Sequence, residues 1–183
     1  MGRLTAAHPI TALIYEDGAE AAQVLRSVAD ALTAAGVRCC GFVQHDEPRS
    51  DRPRCDMYLV DVVSGDRLKI SEDRGPHARG CRLDSAELVR ALGLVRGALA
   101  GGAEVLILNK FGKSESEGQG FRPLIAEAIE SEIPVIIGVP SKNIDGWRQF
   151  CGELSTDRDV GGLAGLGTGA LLQRLGLSVA PAA

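Results

Sequence analysis

Three short, mostly apolar runs punctuate the chain: Ile10 to Tyr15 (ITALIY), Val105 to Leu108 (VLIL) and Pro134 to Val139 (PVIIGV). Runs of this length without polar alternation predict strands buried on both faces, as in a parallel sheet covered by helices. Between them the period changes to that of a helix. Ala21, Val24, Leu25, Val28, Leu32 and Ala35 recur at helical spacing behind Asp17 and Glu20, an Asp-led capping box, and Gly36 closes the run. Arg38 to Gln44 reads as a further strand. Met57 to Val62 and Arg67 to Ile70, joined through Ser64-Gly65-Asp66, read as a β-hairpin.

A second helix has equally clear start signals. Asp84 stands three residues before Glu87, Leu83 and Leu88 are spaced for a hydrophobic staple, and Leu88, Leu92, Val95 and Leu99 continue the inner face to Gly101-Gly102. Pro123 opens a helix with Leu124, Ile125, Ala128 and Ile129 inward, and Ser141 to Leu154 forms a short one carrying Trp147 and Phe150. Strands alternating with helices give an α/β chain with a mostly parallel sheet and an inserted β-hairpin. Residues 1–160 make one domain. From Gly161 glycine and alanine dominate, which predicts a 161–183 tail that is mobile, loosely docked or ordered by a partner subunit, with a weak helical turn or two around Leu171.

With 183 residues, 45% hydrophobic and 4% aromatic, the core must be filled by Leu, Val, Ile and Ala, enough for a single domain. A net charge of -4 disfavours general binding to nucleic acid or anionic membranes. No run approaches the roughly 20 apolar residues of a membrane span, and the start MGRLTAAHPI lacks the apolar core of a signal peptide, so a cytoplasmic location is expected. The five cysteines, at 39, 40, 55, 81 and 151, contain no Cys-x-x-Cys pair and encode neither a disulfide framework nor a zinc ribbon. Cys81 alone, between Gly80 and Arg82, has a setting suited to thiolate chemistry.

Candidate chemistry gathers in three places. After VLIL the chain turns abruptly polar: Asn109, Lys110, Lys113, Ser114, Glu115 and Glu117 follow, with Gly112, Gly118 and Gly120 among them. Ligands of open α/β sheets bind at the carboxyl ends of strands, so this exit is the default site. The second place is the loop SEDRGPHARGCRLD, where Arg74, Arg79 and Arg82 surround Gly75, Pro76 and Gly80 ahead of a helix. Forked donors and backbone amides of this kind suit a small oxyanion, and a solvated loop with its arginines paired to Glu72, Asp73 and Asp84 is the plainer alternative. The third place is informative by what it lacks. Between Tyr15 and Arg26 there is no lysine and no G-x-x-x-x-G-K-[ST], while Glu16, Asp17 and Glu20 put negative charge where a triphosphate would rest.

The succession of the first strand and helix, GFVQ, VDVVSGDR, ARGCRLD, LILNKFGKSE and PVIIGV resembles the bacterial nucleoside-triphosphatase family of P-loop proteins. It resembles more closely an uncharacterised domain-of-unknown-function family, some members of which are labelled molybdenum ABC transporter ATP-binding proteins. The resemblance covers roughly residues 10 to 155 and implies a P-loop-NTPase-like three-layer sandwich. Where the triphosphatases carry Asp-Glu-x-Gly-[Lys/Pro]-x-Glu, Gly112, Lys113 and Glu115 match. Asn109 and Lys110 replace the two carboxylates that hold magnesium and polarise water, which with the missing phosphate loop makes hydrolysis an unexpected activity.

The expected function is that of a non-hydrolysing P-loop-like protein binding a small oxyanion of the molybdate, tungstate or phosphate type. The expected anion site is Arg79, Gly80, Cys81, Arg82, Asn109, Lys110, Lys113 and Ser114, with no metal. The family label makes molybdate or tungstate the natural ligand, with Mg-ATP ranked below, and a homo-oligomer or a molybdenum-uptake component is the expected partner. Two alternatives are an unorthodox nucleoside triphosphatase with Lys113 replacing the usual phosphate lysine, and a ligand-free interaction module.

Overall fold

The computed structural model describes residues 2–50, 55–72 and 83–181. Among the described residues nine strands and six α-helices follow in the order β1 (Gly2–Ala6), β2 (Ile10–Tyr15), α1 (Gly18–Ala34), β3 (Cys39–Glu47), β4 (Asp56–Asp61), β5 (Arg67–Lys69), α2 (Ser85–Ala100), β6 (Val105–Leu108), α3 (Lys113–Ser116), α4 (Arg122–Glu130), β7 (Val135–Pro140), α5 (Ile144–Cys151), β8 (Ser155–Asp159), α6 (Thr168–Leu175) and β9 (Leu177–Pro181). Seven strands make one sheet in the order β5-β4-β3-β6-β7-β2-β8. From β3 to β8 every pair is parallel, and β4 and β5 add the expected hairpin antiparallel at one edge.

The unalternating strands are buried on both sides, as their composition predicts. Val105 and Ile107 of β6 face one core with α1, whereas Leu106 and Leu108 face another with α2, α4 and α5. Helices on both faces of a mostly parallel sheet give three layers. The close pairing of β3 with β6 needs a glycine at one point. Gly41 sits at φ +122, and a β-carbon there would run into the Ile107 carbonyl. Asp17 and Asp84 cap their helices as the spacing predicts, accepting from Ala19 and Glu20 in one case and from Ala86 and Glu87 in the other.

The C-terminal segment differs from the expectation of a mobile or loosely docked tail. Its helix α6 packs on α1, β9 pairs antiparallel with β1, and Leu163, Leu171, Leu175 and Leu177 are buried with Leu4 in the α1-side core. The physical reason is spacing: leucines at 171 and 175 share one helical face, and the glycines around them lie outside the helix core contacts or at its left-handed end, Gly176. Burial of that face by α1 outweighs the weak intrinsic helix propensity of a glycine-rich stretch.

Leu171 is 1% exposed. Leu171→Ala is therefore expected to cost about 2–5 kcal/mol in urea unfolding, and a loss below about 1 kcal/mol would mean that the segment is only loosely attached.

Candidate functional site

The parallel strands β3, β6, β7 and β2 end at the same side of the sheet, and α1 runs back from that end. Between their exits and the first turns of α1 lies a cleft of about 710 Å³. Tyr15 and Glu16 line it from β2, Gln44, His45 and Asp46 from β3, Asn109 and Lys110 from β6, Pro140 and Lys142 from β7, and Gly18, Ala19, Ala22, Gln23 and Arg26 from α1. The β2 end of the sheet is where the chain, after crossing by α1, returns three strands away as β3, beyond β7 and β6, so the cleft sits at a change of winding direction.

Asn109 and Lys110 are held at the rim by the way β6 leaves the sheet. The Phe111 amide donates to the Gly138 carbonyl at 2.8 Å, and a β-carbon at Gly138 would collide with the Asn109 carbonyl oxygen. Only a glycine in β7 lets the β6 exit lie this close. Phe111 then turns to the opposite face, fully buried between Trp147, edge-on with centroids 5.0 Å apart, and Phe150, stacked at 5.6 Å. Asn143 Nδ2 donates to the Phe111 carbonyl at 2.9 Å and fixes the same bend.

This bend separates the residues that the sequence grouped together. Asn109 and Lys110 line the cleft together with the first turns of α1. Lys113 and Ser114 follow Phe111 to α3, which packs on α5, and neither lines the cleft. The Lys113 side chain is 87% exposed and its Nζ lies 3.7 Å from Glu117 Oε1. The buried Glu115 carboxylate accepts from the Gly112 amide at 2.8 Å and the Phe121 amide at 3.0 Å, and so shapes the loop. Arg79, Gly80, Cys81 and Arg82 lie outside the described residues. The flanks of that loop meet at β5, where Ser71 and Leu83 form a bridge and the Asp84 amide donates to Ile70.

The cleft's charge is arranged unevenly. Arg26, Lys110 and Lys142 are exposed and make no ion pair among the described residues. Of the two carboxylates present, Asp46 accepts a 2.7 Å hydrogen bond from Gln44 Nε2, and Glu16 stands at the β2 exit. Burial, and behind it the Asp46 carboxylate, push the Tyr15 phenol up to about 12. The start of α1 holds no open anion site, because Asp17 Oδ1 takes the Ala19 amide at 2.8 Å and the Glu20 amide at 3.4 Å. Arg26, His45, Asp46 and Lys142 are cleft residues that the sequence reading did not single out. The signal for Lys142 was available: it follows a buried parallel strand, as Lys110 does.

These features define a layered α/β chain with a P-loop-like layout, no phosphate loop, and an open, partly cationic cleft at its strand exits. The chain belongs to the family described as "Protein of unknown function (DUF2478)", which matches residues 10–160. Every residue lining the cleft lies inside that stretch, whereas β1, α6 and β9 lie outside it. The chain is also similar to a protein of Bradyrhizobium diazoefficiens named "Molybdenum import ATP-binding protein ModC 2", 32% identical over 147 residues. The match takes up 80% of this chain and 16% of that protein, so most of the relative has no counterpart here. No solved structure matches the chain. The similarity and the sheet agree on a P-loop-NTPase-like sandwich. Among the described residues no helix is long and apolar enough to cross a membrane.

The sequence holds two tyrosines, so in a Tyr58→Phe background the ultraviolet titration reports Tyr15 alone. A step near pH 12 is expected, moving down in Asp46→Asn as the second cause is removed. Because the folded value lies above the ordinary value of 10.0, the stability that Tyr15 contributes is complete below pH 10 and is lost as pH rises towards 12. A step at pH 10 that ignores Asp46 would contradict the geometry.

Proposed function

We propose that the cleft binds a small oxyanion or an oxyanion-bearing ligand without hydrolysing it. The observation that carries this reading is the set of three cations, Arg26, Lys110 and Lys142, brought from α1, β6 and β7 to one cleft and left without ion pairs among the described residues. Cations drawn together repel one another, and an anion between them removes that repulsion while gaining charge-assisted hydrogen bonds. Asn109 and Lys110 stand where the resembling triphosphatases carry their metal-binding and water-polarising acids. The site therefore attracts an anion directly, with no magnesium needed to mediate it. The name of the Bradyrhizobium relative makes molybdate and tungstate the first anions to test and molybdenum handling the natural setting. Arg79 and Arg82 form no part of this reading.

A nucleotide is the second reading, favoured by one observation. The cleft volume of about 710 Å³ is large for a bare tetrahedral anion. Against a triphosphate stand Glu16 and the start of α1, whose amides are already taken by Asp17.

The test compares thermal unfolding of the full chain with molybdate, tungstate, sulfate, phosphate and ATP, each with and without magnesium at matched ionic strength. A ligand at about a hundred times its dissociation constant adds about 2.7 kcal/mol, a rise of roughly 5–10 °C for a chain of this length. We expect a magnesium-independent rise with at least one oxyanion, lost in Lys110→Ala/Lys142→Ala. A rise that needs magnesium with ATP would move the assignment to the second reading. A rise that survives the double substitution would remove the cleft as the site.

A further inference from the structure

The cleft has two chemically different ends. In sheet order its rim passes from Gln44, His45 and Asp46 on β3 to Asn109 and Lys110 on β6, Lys142 after β7, and Tyr15 and Glu16 on β2. Neighbouring strands lie about 4.8 Å apart, so the β3 end is roughly 5–10 Å across the sheet from the two lysines. At that end Gln44 Nε2 is engaged with Asp46 Oδ1 at 2.7 Å. Asp46 Oδ2 and Gln44 Oε1 take no hydrogen bond among the described residues. The β3 end thus offers oxygen acceptors, one of them charged, beside the lysines at the β6 and β7 exits, with Glu16 beyond them at the β2 exit.

From α1 the cleft is lined by Gly18, Ala19 and Ala22, which carry nothing beyond a β-carbon, and by Gln23 and Arg26. The three small residues leave room for a planar ring beside the helix. Volume and the pairing of cations with acceptors are together more than a tetrahedral anion uses, and the volume falls within the roughly 300–1,000 Å³ of small-molecule sites.

We propose that the ligand is a phosphorylated planar heterocycle with a 2-amino-4-oxo ring edge, the edge shared by guanine and pterins. Its phosphate rests on Lys110, Lys142 and Arg26, and its ring N–H and amino group donate to Asp46. This rests on the anion-binding reading above and adds the identity of the other end. Two adjacent N–H donors match the two oxygens of a carboxylate, with Gln44 steadying the acid from the side. Adenine presents a ring nitrogen acceptor at the corresponding position and would leave the Asp46 charge without a donor there, which selects against it.

The experiment is calorimetric titration of the full chain with GMP, AMP, dihydroneopterin monophosphate and inorganic phosphate, repeated for Asp46→Asn. GMP or the pterin phosphate is expected to bind at least about tenfold more tightly than AMP and inorganic phosphate, a ratio within reach of hydrogen bonds to a charged group. Asp46→Asn should abolish that preference. Inorganic phosphate should bind the variant as well or better, because a negative charge has left the cleft. Equal binding of GMP, the pterin phosphate, AMP and inorganic phosphate would overturn the proposal, as would a preference that survives Asp46→Asn; in both cases anion binding itself stands. Failure of all four to bind would also overturn the proposal, while the anion reading itself is decided by the molybdate and tungstate arms of the unfolding test.

Discussion

The site depends on the absence of one side chain. Gly138 lies in the middle of β7 with every neighbour buried, and its missing β-carbon lets the Asn109 carbonyl approach while its own carbonyl receives the Phe111 amide. That contact ends β6 in a bend instead of a continuation. A bend so placed sends consecutive residues to different surroundings: Asn109 and Lys110 to the cleft, Phe111 into the aromatic cluster of Trp147 and Phe150. Phe111 is the anchor that makes the bend durable, because its exposure would cost the burial of a large aromatic as well as the hydrogen bond from Asn143.

Electrostatics then decides which part of a P-loop-like layout can receive an anion. The helix start after the first strand is the usual cradle for phosphate, since its amides are free and its dipole is positive. Here Asp17 has taken those amides and Glu16 adds a second carboxylate. Positive charge is found instead at the exits of β6 and β7 and on the third turn of α1. The anion-attracting ground has moved along the strand exits, away from the first loop and towards the middle of the sheet.

Much of this was legible in the chain because the relevant rules are local. Strands buried on both faces carry no alternation, so β2, β6 and β7 announce themselves, and the two Asp-led caps give the starts of α1 and α2. The hairpin of β4 and β5 follows from its turn residues. What escaped was set by distant packing. β8, with the sequence STDRD, is a polar edge strand half-covered by its neighbours, so neither alternation nor an apolar run marks it. β1 and β9 are stabilised by pairing between the two ends of the chain, and α6, legible only as a weak helical turn or two around Leu171, owes its firm place to packing on α1. For the site, the strand-exit rule located Asn109 and Lys110, but spacing alone gave no sign that Phe111 would send Lys113 and Ser114 to the other face. Lys142 and Arg26 lie 32 and 84 residues from Lys110, and only the parallel register brings them to the same cleft.

On this reading Arg26, Lys110 and Lys142 form one anion site. Crystals of the full chain grown with tungstate, measured at the tungsten absorption edge, test it most directly, since the anomalous signal locates the ion without reference to the protein's chemistry. A peak is expected in the cleft within about 4 Å of the terminal nitrogens of at least two of these three residues, the tungsten lying one bond behind oxygens that accept at about 2.7–2.9 Å. A fully occupied peak elsewhere on the chain, with the cleft empty at a tungstate concentration that raises the melting temperature, would contradict it.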